Sequence, residues 1–271
     1  MAATTFPAVA NAPQRSLARN IALYAKEAKY ELLKNIRIPV YAISTVAFPV
    51  MFYVLFGIVM GSSAADRREN ATYLLATMGC FGVIAVALFG FGVSLAIERG
   101  QGWLQVKRAS PMPVSAYFLG KLCSAVAFST VIMLLLLAIG FTFGGVRMPI
   151  ATAAKLVGIL VAGAIPFSAM GMAIGYFAKP NSAPGLVNLI YMPMSFCSGL
   201  WIPLFLLPHA LQRFAKLLPP YHLSQLALNA VGMVNNPTPA WGHVEALIAF
   251  TLLCLGFAAW GYRRDEGKTY G

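Results

Sequence analysis

Six long apolar runs constrain this chain more than any other feature of its sequence. They lie at about residues 38–60, 73–97, 117–143, 152–177, 185–207 and 244–262. A helix needs roughly 20 apolar residues to cross a bilayer core about 30 Å thick, and only a helix or a closed barrel satisfies its own backbone groups there. The sequence therefore predicts an all-α integral membrane protein with six transmembrane helices.

Composition excludes a soluble domain of this length. The 271 residues are 59% hydrophobic and 10% charged, whereas charged residues make up about a quarter of a soluble domain. The net charge of +12 does not indicate a nucleic-acid partner, because the basic residues flank the apolar runs and do not interleave with aromatics in a polar stretch. The partner that this charge fits is membrane lipid.

Lysines and arginines near the ends of the runs predict the orientation of the chain. With six spans, fourteen of these residues fall on the side of the two termini and six on the opposite side. Because short cytoplasmic loops carry the excess of basic residues, both termini are predicted to be cytoplasmic in a multi-pass protein of the plasma (inner) membrane. The first 37 residues contain no apolar signal segment, so we expect the first span to direct insertion.

The chain before the first run divides into two parts. Residues 1–15 are mostly small residues and prolines without periodicity, which predicts a disordered cytoplasmic leader. From Ser16 onward, apolar residues recur every three or four positions between lysines and arginines. The apolar positions are Leu17, Ile21, Tyr24, Ala28, Leu32 and Ile36. This pattern predicts an amphipathic helix on the inner membrane surface; the alternative is a solvated charged helix that leads into the first span.

The sequence lacks the residues that would supply energy or catalysis within the chain. It has no GxxxxGK[ST] loop, so ATP hydrolysis is not expected here. An intramembrane serine protease is disfavoured because Ser198 is not in a Gly-x-Ser-Gly pattern. Four ionisable residues lie within about two helical turns of the end of a run, where long side chains reach the interface: Lys121, Lys155, His243 and Glu245. We therefore predict no catalytic residue, cofactor or metal site, and any uphill transport must be driven from outside the membrane.

The connection between the second and third runs holds the first informative motif. It reads ERGQGWLQVKRASPMP from Glu98 to Pro113 and is followed by Gly120-Lys121. The spacing predicts a short helix along the cytoplasmic surface that the prolines would end. This segment resembles the same loop in the ABC-2 type permease family, which carries a Glu-Arg, a Gly, several basic residues, a Ser/Thr-Pro and a following Gly-Lys.

A second motif begins within the fifth run and is rich in proline and glycine. It includes Pro193, Gly199, Pro203, Pro208 and Pro219. These residues should interrupt the helix near its outer end, which predicts short re-entrant outer helices; the alternative is an ordinary proline-rich loop. Members of the ABC-2 type permease family are similar here, with a Pro, a Ser-Gly, a Pro, a Leu-Pro and a later Pro-led helix in that order.

The resemblance covers residues 16–265, with residues 266–271 left as a cytoplasmic tail, and implies a function. It implies a drug, lipid or polysaccharide exporter in which two permease chains, identical or different, bind ABC ATP-binding subunits that carry the ATP and Mg²⁺. The loop after the second span would be the coupling helix that docks on the ATPase. Its coupling residues would be Glu98, Arg99, Gly102, Trp103, Leu104, Lys107, Arg108, Pro111 and Lys121. A passive channel or structural scaffold remains the alternative function.

Roles within this loop and along the pathway are also predicted. Trp103 and Leu104 would fill an apolar pocket on the ATPase, unless Trp103 is an interfacial belt residue. Glu98 would pair with Arg99, Lys107, Lys121 or a base of the ATPase, unless it is only a solvated charge at the end of the span. Large apolar side chains are either pathway residues or ordinary packing: Phe48, Met51, Phe52, Phe89 and Met194.

Overall fold

A computed structural model of the chain describes residues 17–60, 63–110, 112–234 and 239–266. Every regular element in these ranges is a helix, as the apolar runs predict. The predicted leader, residues 1–15, lies outside the described residues, and so does the tail beyond Glu266.

Twelve α-helices follow one another along the described chain. They are α1 (Leu17–Ile36), α2 (Pro39–Phe52), α3 (Ala64–Ala87), α4 (Ser94–Gly100), α5 (Trp103–Ala109), α6 (Val114–Thr142), α7 (Ile150–Ala162), α8 (Ala164–Phe177), α9 (Ala183–Cys197), α10 (His209–Ala215), α11 (Pro219–Ala230) and α12 (Ala240–Glu266). A π-helix continues α2 through Tyr53–Val59, a second one joins α3 to α4 through Leu88–Val93, and a 3₁₀ turn covers Leu204–Leu206.

Five helical stretches in the described ranges are long and apolar enough to cross a membrane. They are the first span (Pro39–Val59), the second (Ala64–Gly100), the third (Val114–Thr142), the fourth (Ile150–Phe177) and the last (Ala240–Asp265). Each overlaps one of the predicted runs, so the prediction of a multi-pass helical membrane protein is confirmed.

The helix in the predicted span at 185–207 ends earlier than the span was predicted to end. This helix, α9, stops at Cys197 after 15 residues, because Gly199 adopts a left-handed φ of 79°. Two backbone amides after the helix bond back to carbonyls of its last turn, which is the pattern of a Schellman cap. A helix of this length rises about 22 Å, less than the bilayer core of about 30 Å.

The second span runs through the middle of the helix bundle. Every residue from Leu74 to Leu88 is buried, on all sides of the helix. It is contacted by the first, third and fourth spans and by α11. A helix buried all round has to be apolar all round, which explains why this run lacks a polar face.

Small residues bring the fourth span against the second span, backbone to backbone. A Cβ atom on Gly171 would lie 2.9 Å from the carbonyl oxygen of Ala87. One on Gly175 would lie 2.9 Å from the carbonyl oxygen of Gly92. The two glycines stand four residues apart, a small-xxx-small spacing that predicts close packing of helices. The structure confirms that prediction, since only hydrogen fits in the gap between the two spans.

The helix α1 packs along α6. Its inner face is mixed: Leu32 packs against the hydrophobic core, and Glu31 and Asn35 are each 5% exposed. Ile21 and Ile36, which the sequence pattern placed in the same apolar stripe as Leu32, are 62% and 52% exposed. The predicted helix is present, but its buried face includes polar residues that the apolar pattern did not predict.

Replacement of Gly171 should test the close approach of the two spans. We expect Gly171→Leu to destabilise the protein by roughly 1–3 kcal/mol or more, because the opposing atoms belong to the backbone and cannot rotate away. The control is Gly158→Leu on α7, where a Cβ atom would meet nothing within 4 Å. Melting temperatures in detergent measure both; an equal loss for the two variants would contradict the assignment.

Candidate functional site

Four charged side chains from three helices meet where the second span ends. Glu31 and Lys34 lie on α1, three residues apart and therefore on one side of that helix. Glu98 lies on α4, the last part of the second span, and Lys121 lies on α6. We call these four residues the charge cluster.

Lys121 is the centre of the charge cluster. Its Nζ atom lies 2.9 Å from the carboxylate of Glu31 and 3.0 Å from that of Glu98. It also donates to the Ser94 hydroxyl at 2.6 Å. The side chain of Lys121 is 0% exposed, so the prediction that it reaches toward the membrane interface is wrong: two carboxylates of the same chain neutralise it where it is buried.

The carboxylate of Glu98 is held from several directions. Lys34 donates to Oε1 at 2.6 Å, and the Tyr117 hydroxyl donates to Oε2 at 2.6 Å. The Ser94 hydroxyl adds a bond to Oε1 at 3.0 Å. Of the intramolecular partners predicted for Glu98, Lys121 is the one found, and Lys34 was not anticipated.

The charge of Lys34 depends on the two carboxylates beside it. Burial lowers the pKa of Lys34, but the charges of Glu98 and Glu31 outweigh this effect, and the net pKa is raised. Lys34 is therefore protonated throughout the neutral range. With two acids and two bases, the charge cluster is balanced, which is the condition under which buried charges are tolerated.

The other two basic residues predicted as partners of Glu98 are engaged elsewhere. Arg99 pairs with Asp265 of the last span at 3.4 Å and donates to the carbonyl of Ala178 at 2.6 Å. Lys107 forms an ion pair with Glu27 of α1. These bonds tie the end of α4 to the last span and to the end of α8, and they tie α5 to α1.

The helix α5 is fixed against the bundle on one side and open on the other. Gly102 has a φ of 77° and makes the turn that separates α5 from α4. Leu104 is 6% exposed and packs in a cluster with Tyr117 and Tyr176, so its predicted pocket is supplied by this chain and not by an ATPase. Trp103, in contrast, is 55% exposed.

Two further residues of the predicted coupling set have no described side chain: Pro111 and the side chain of Arg108 lie outside the described residues. The large apolar side chains that α5 exposes are Trp103 and Val106, and Val106 is 61% exposed. We call these two residues the open face of α5.

The glycine and three of the four prolines of the second motif mark helix boundaries. Pro193 lies within α9, Pro203 precedes the 3₁₀ turn, and Pro208 precedes α10. Pro219 is the first residue of α11. Between these positions the chain exposes large apolar side chains, among them Phe205 and Leu217 at 78% each.

A cavity of about 330 Å³ lies between the first span, the second span and α9. Tyr41, Ser44 and Asn188 line the end nearer the charge cluster, and Phe48 and Phe81 line the far end. Among the described residues that line it, none is charged. The cavity therefore suits a neutral or amphiphilic molecule.

Two of the five predicted pathway residues, Phe48 and Phe89, line this cavity. Phe52 packs against Trp201 instead. Met194 is 8% exposed in the core, and Met51 is 51% exposed on the outside.

Sequence reasoning missed Glu31 and Lys34. The available signal was that Glu31 and Asn35 fall four residues apart on the same side of α1 as Ala28 and Tyr24. A polar pair inside an otherwise apolar stripe indicates a helix that packs on polar partners. The partners themselves, Lys121 and Ser124, are about 90 residues away and could not be found by spacing.

The protein is a bundle of apolar spans. It has a balanced charge cluster at one end and an uncharged cavity between helices. These features are those of a multi-pass membrane protein of the transport class. The model of the family described as ABC-2 type transporter matches residues 27–231, and the chain belongs to that family. It is similar to the candidate transport permease YvfS of Bacillus subtilis (strain 168), with 27% identity over 245 residues, 89% of this chain and 97% of the relative.

Removal of the central lysine should test the charge cluster. We expect Lys121→Met to cost about 3–5 kcal/mol of stability, because it leaves Glu31 and Glu98 buried with one base between them. Lys155→Met, at an exposed position of α7, should cost far less. Thermal unfolding in detergent compares the two. A double variant Glu31→Gln/Lys121→Met should recover part of the loss; no recovery and no difference from Lys155→Met would refute the pairing.

Proposed function

We propose that this chain is the permease subunit of an ATP-driven exporter, in which two permease chains form the pathway and a separate chain hydrolyses ATP. The observation that carries this proposal is the clamped helix α5. Its inner side contacts α6 and α8 through Leu104 and α1 through Lys107, and its open face presents Trp103 and Val106. Membership of the ABC-2 type transporter family supports the same function.

The distribution of ionisable residues supports an external energy source. In the described parts of the spans, ionisable side chains lie near the ends, and Lys121, which is the deepest of them in the third span, is neutralised within the charge cluster. Coupling to protons or sodium ions usually needs such groups near the bilayer midplane. Transport is therefore driven by the ATPase, which holds the ATP and Mg²⁺.

The charge cluster and α5 together offer a rigid route for force. A push on Trp103 from the ATPase reaches the second span through Leu104 and reaches α1 through the ion pair of Lys107 with Glu27. A Cβ atom on Gly100 would lie 2.0 Å from Pro180, so the α8–α9 connection also touches this point. A stiff contact is what a rigid-body transition requires, since each conformation must favour a discrete arrangement.

The topology that fits this function has six crossings. Besides the five spans, α9 and the outer segment from Leu204 to Leu218 form a sixth crossing with short re-entrant helices. The exposed apolar side chains of Phe205 and Leu217 support contact with lipid there. Six crossings place both termini in the cytoplasm, in agreement with the fourteen basic residues on that side against six opposite. The membrane is the plasma (inner) membrane.

The substrate passes the cavity between the first span, the second span and α9. Its uncharged lining and the hydroxyl and amide groups of Tyr41, Ser44 and Asn188 suit an amphiphile such as a drug-like molecule, a lipid or a glycan with an apolar portion. The Tyr41 hydroxyl is buried and has no hydrogen-bond partner among the described residues.

A passive channel or structural scaffold would show the same uncharged spans. Copurification in mild detergent separates the two functions. A stoichiometric ATP-binding chain that stays bound supports the exporter, and an open pore formed by this chain alone contradicts it.

Trp103→Ala tests the docking face. We expect the variant to lose on the order of 2 kcal/mol in binding to the ATPase, about 30-fold in Kd, if the indole is a buried anchor in the complex. The matched control is Trp260→Ala on the last span, where the indole is 56% exposed. Binding is measured with the permease in nanodiscs. Equal affinities for both variants would remove α5 from the docking site.

A substitution at Glu98 tests the coupling of transport to ATP hydrolysis separately from the docking of the ATPase. Glu98→Gln should leave the ATPase bound but lower the transport per ATP hydrolysed, because it weakens the link between α1 and the second span. Both rates are measured in proteoliposomes that contain the permease and the ATPase. An unchanged ratio of transport to hydrolysis would show that the charge cluster serves stability alone.

The outer segment is tested by thiol accessibility. Cysteines at Phe205 and Leu211, in a background without Cys80, Cys123, Cys197 and Cys254, should react with an impermeant reagent at least about tenfold more slowly than a cysteine at Glu69, because lipid covers them. Glu69 is exposed at the outer start of α3. Labelling of all three sites at one rate would indicate a loop in water.

A further inference from the structure

A cluster of aromatic rings surrounds Trp201, just after the Schellman cap of α9. The indole meets Phe52 at 4.5 Å and Phe81 at 5.0 Å between ring centroids, both edge to face. It stacks on Phe196 at 4.8 Å and meets Phe56 at 6.4 Å. We call these five residues the aromatic cap.

The aromatic cap begins where the cavity ends. Phe81 lines the far end of the cavity and also belongs to the cap. On the first span, Phe48 lines the cavity and stacks on Phe52 at 6.1 Å, which stacks on Phe56 at 5.9 Å. Rings of the first and second spans therefore reach from the cavity to Trp201, and the indole lies beyond the end of the cavity that Phe48 and Phe81 line.

We propose that Trp201 is the outer gate residue of the cavity, a role that rests on the proposed export function and deepens it. With the indole in place, apolar rings close the far end of the cavity. Water and ions find no polar partner there, so the membrane stays sealed while the cavity is loaded. When the indole leaves the cap, the cavity opens outward.

The backbone on either side of Trp201 and the few bonds of its indole suit a side chain that moves. The residue lies between Gly199, whose φ of 79° makes the turn after α9, and Pro203, which begins the next turn. The Tyr73 hydroxyl holds the carbonyl of Gly199 at 2.7 Å. The indole itself donates one hydrogen bond, to Ser195 Oγ at 3.2 Å. The segment has a fixed base in the Tyr73 bond, whereas the indole is kept by ring contacts that can be exchanged for contacts with a departing apolar ligand.

The gate also selects by chemistry. A ligand that replaces the indole has to offer an apolar or aromatic portion to Phe52 and Phe81, since an ion would be left without a partner among these rings. This agrees with the uncharged lining of the cavity and restricts the exported class to neutral amphiphiles or to amphiphiles that lead with their apolar end.

Thiol labelling of the cavity from outside tests the gate without any ATPase. The full chain carries Ser44→Cys in the background without native cysteines, in right-side-out membrane vesicles. With Trp201 present, an impermeant reagent added outside should react slowly. With Trp201→Ala we expect at least about a tenfold faster reaction, because the indole no longer fills the cap. Trp201→Phe should stay slow, since a ring still closes it.

The matched control is Trp241→Ala, an exposed tryptophan near the start of the last span, which should leave the labelling rate unchanged. Equal rates for Trp201→Ala and the parent would overturn the gate, and so would an equal increase with Trp241→Ala. If Trp201→Ala does not reach the membrane, Trp201→Leu takes its place and the same comparison decides.

A second measurement separates the gate from the proposed function. Cysteines at Phe52 and Trp201 joined by a short bifunctional thiol reagent should stop export while the ATPase still copurifies. Continued export with the two positions joined overturns the gate alone. Failure to copurify an ATPase with any form of the chain overturns the exporter, whereas the labelling result would still establish where the cavity is closed.

Discussion

One buried lysine, paired with two carboxylates, fixes the end of the bundle at which α1, α6 and the second span meet. Lys121 is buried, and a buried ammonium is tolerated only with partners in place. Its partners come from α1 and from the end of the second span, so these two elements and α6 are fixed relative to one another by the need to neutralise a single charge. Lys34 and Tyr117 complete the coordination of Glu98. A movement that separated α1, α6 and the end of the second span would leave charge unpaired in a medium of low polarity. The need to keep these charges paired holds the three elements together.

The second span carries this constraint through the membrane. It is buried on all sides, ends at Glu98, and contacts the fourth span through glycines that leave no room for a side chain. Its middle forms one wall of the cavity, and Phe81 on the same helix belongs to the aromatic cap. The charge cluster, the cavity and the proposed gate thus share one rigid helix. Close-packed helices shift between discrete arrangements and do not deform continuously, so these three features belong to one packed unit.

Several expectations failed for reasons that can be stated physically. Leu104 was expected to dock on an ATPase, but Tyr117 and Tyr176 of the same chain form its pocket. The span predicted at 185–207 is longer than the helix in it, because a positive φ at Gly199 ends α9 at Cys197, in the region where the prolines and the glycine predicted an interruption. Lys121 was expected to reach the interface because long side chains near helix ends often do so. In each case a contact from another part of the chain, or a backbone conformation that hydrophobicity does not report, decided the outcome.

The sequence by itself determined the class of the protein, its long apolar helices and the close-packing glycines of the fourth span, because hydrophobic length and residue size act locally. It also located the segment that becomes α5, through a family resemblance. Only the tertiary structure decided which charges meet, that α1 turns Glu31 and Asn35 inward, that Trp103 and not Leu104 is exposed, and that rings from three parts of the chain meet at Trp201. These features depend on residues as many as about 150 positions apart. Which of these residues meet depends on which helices lie side by side, and the packing of the whole bundle determines that arrangement.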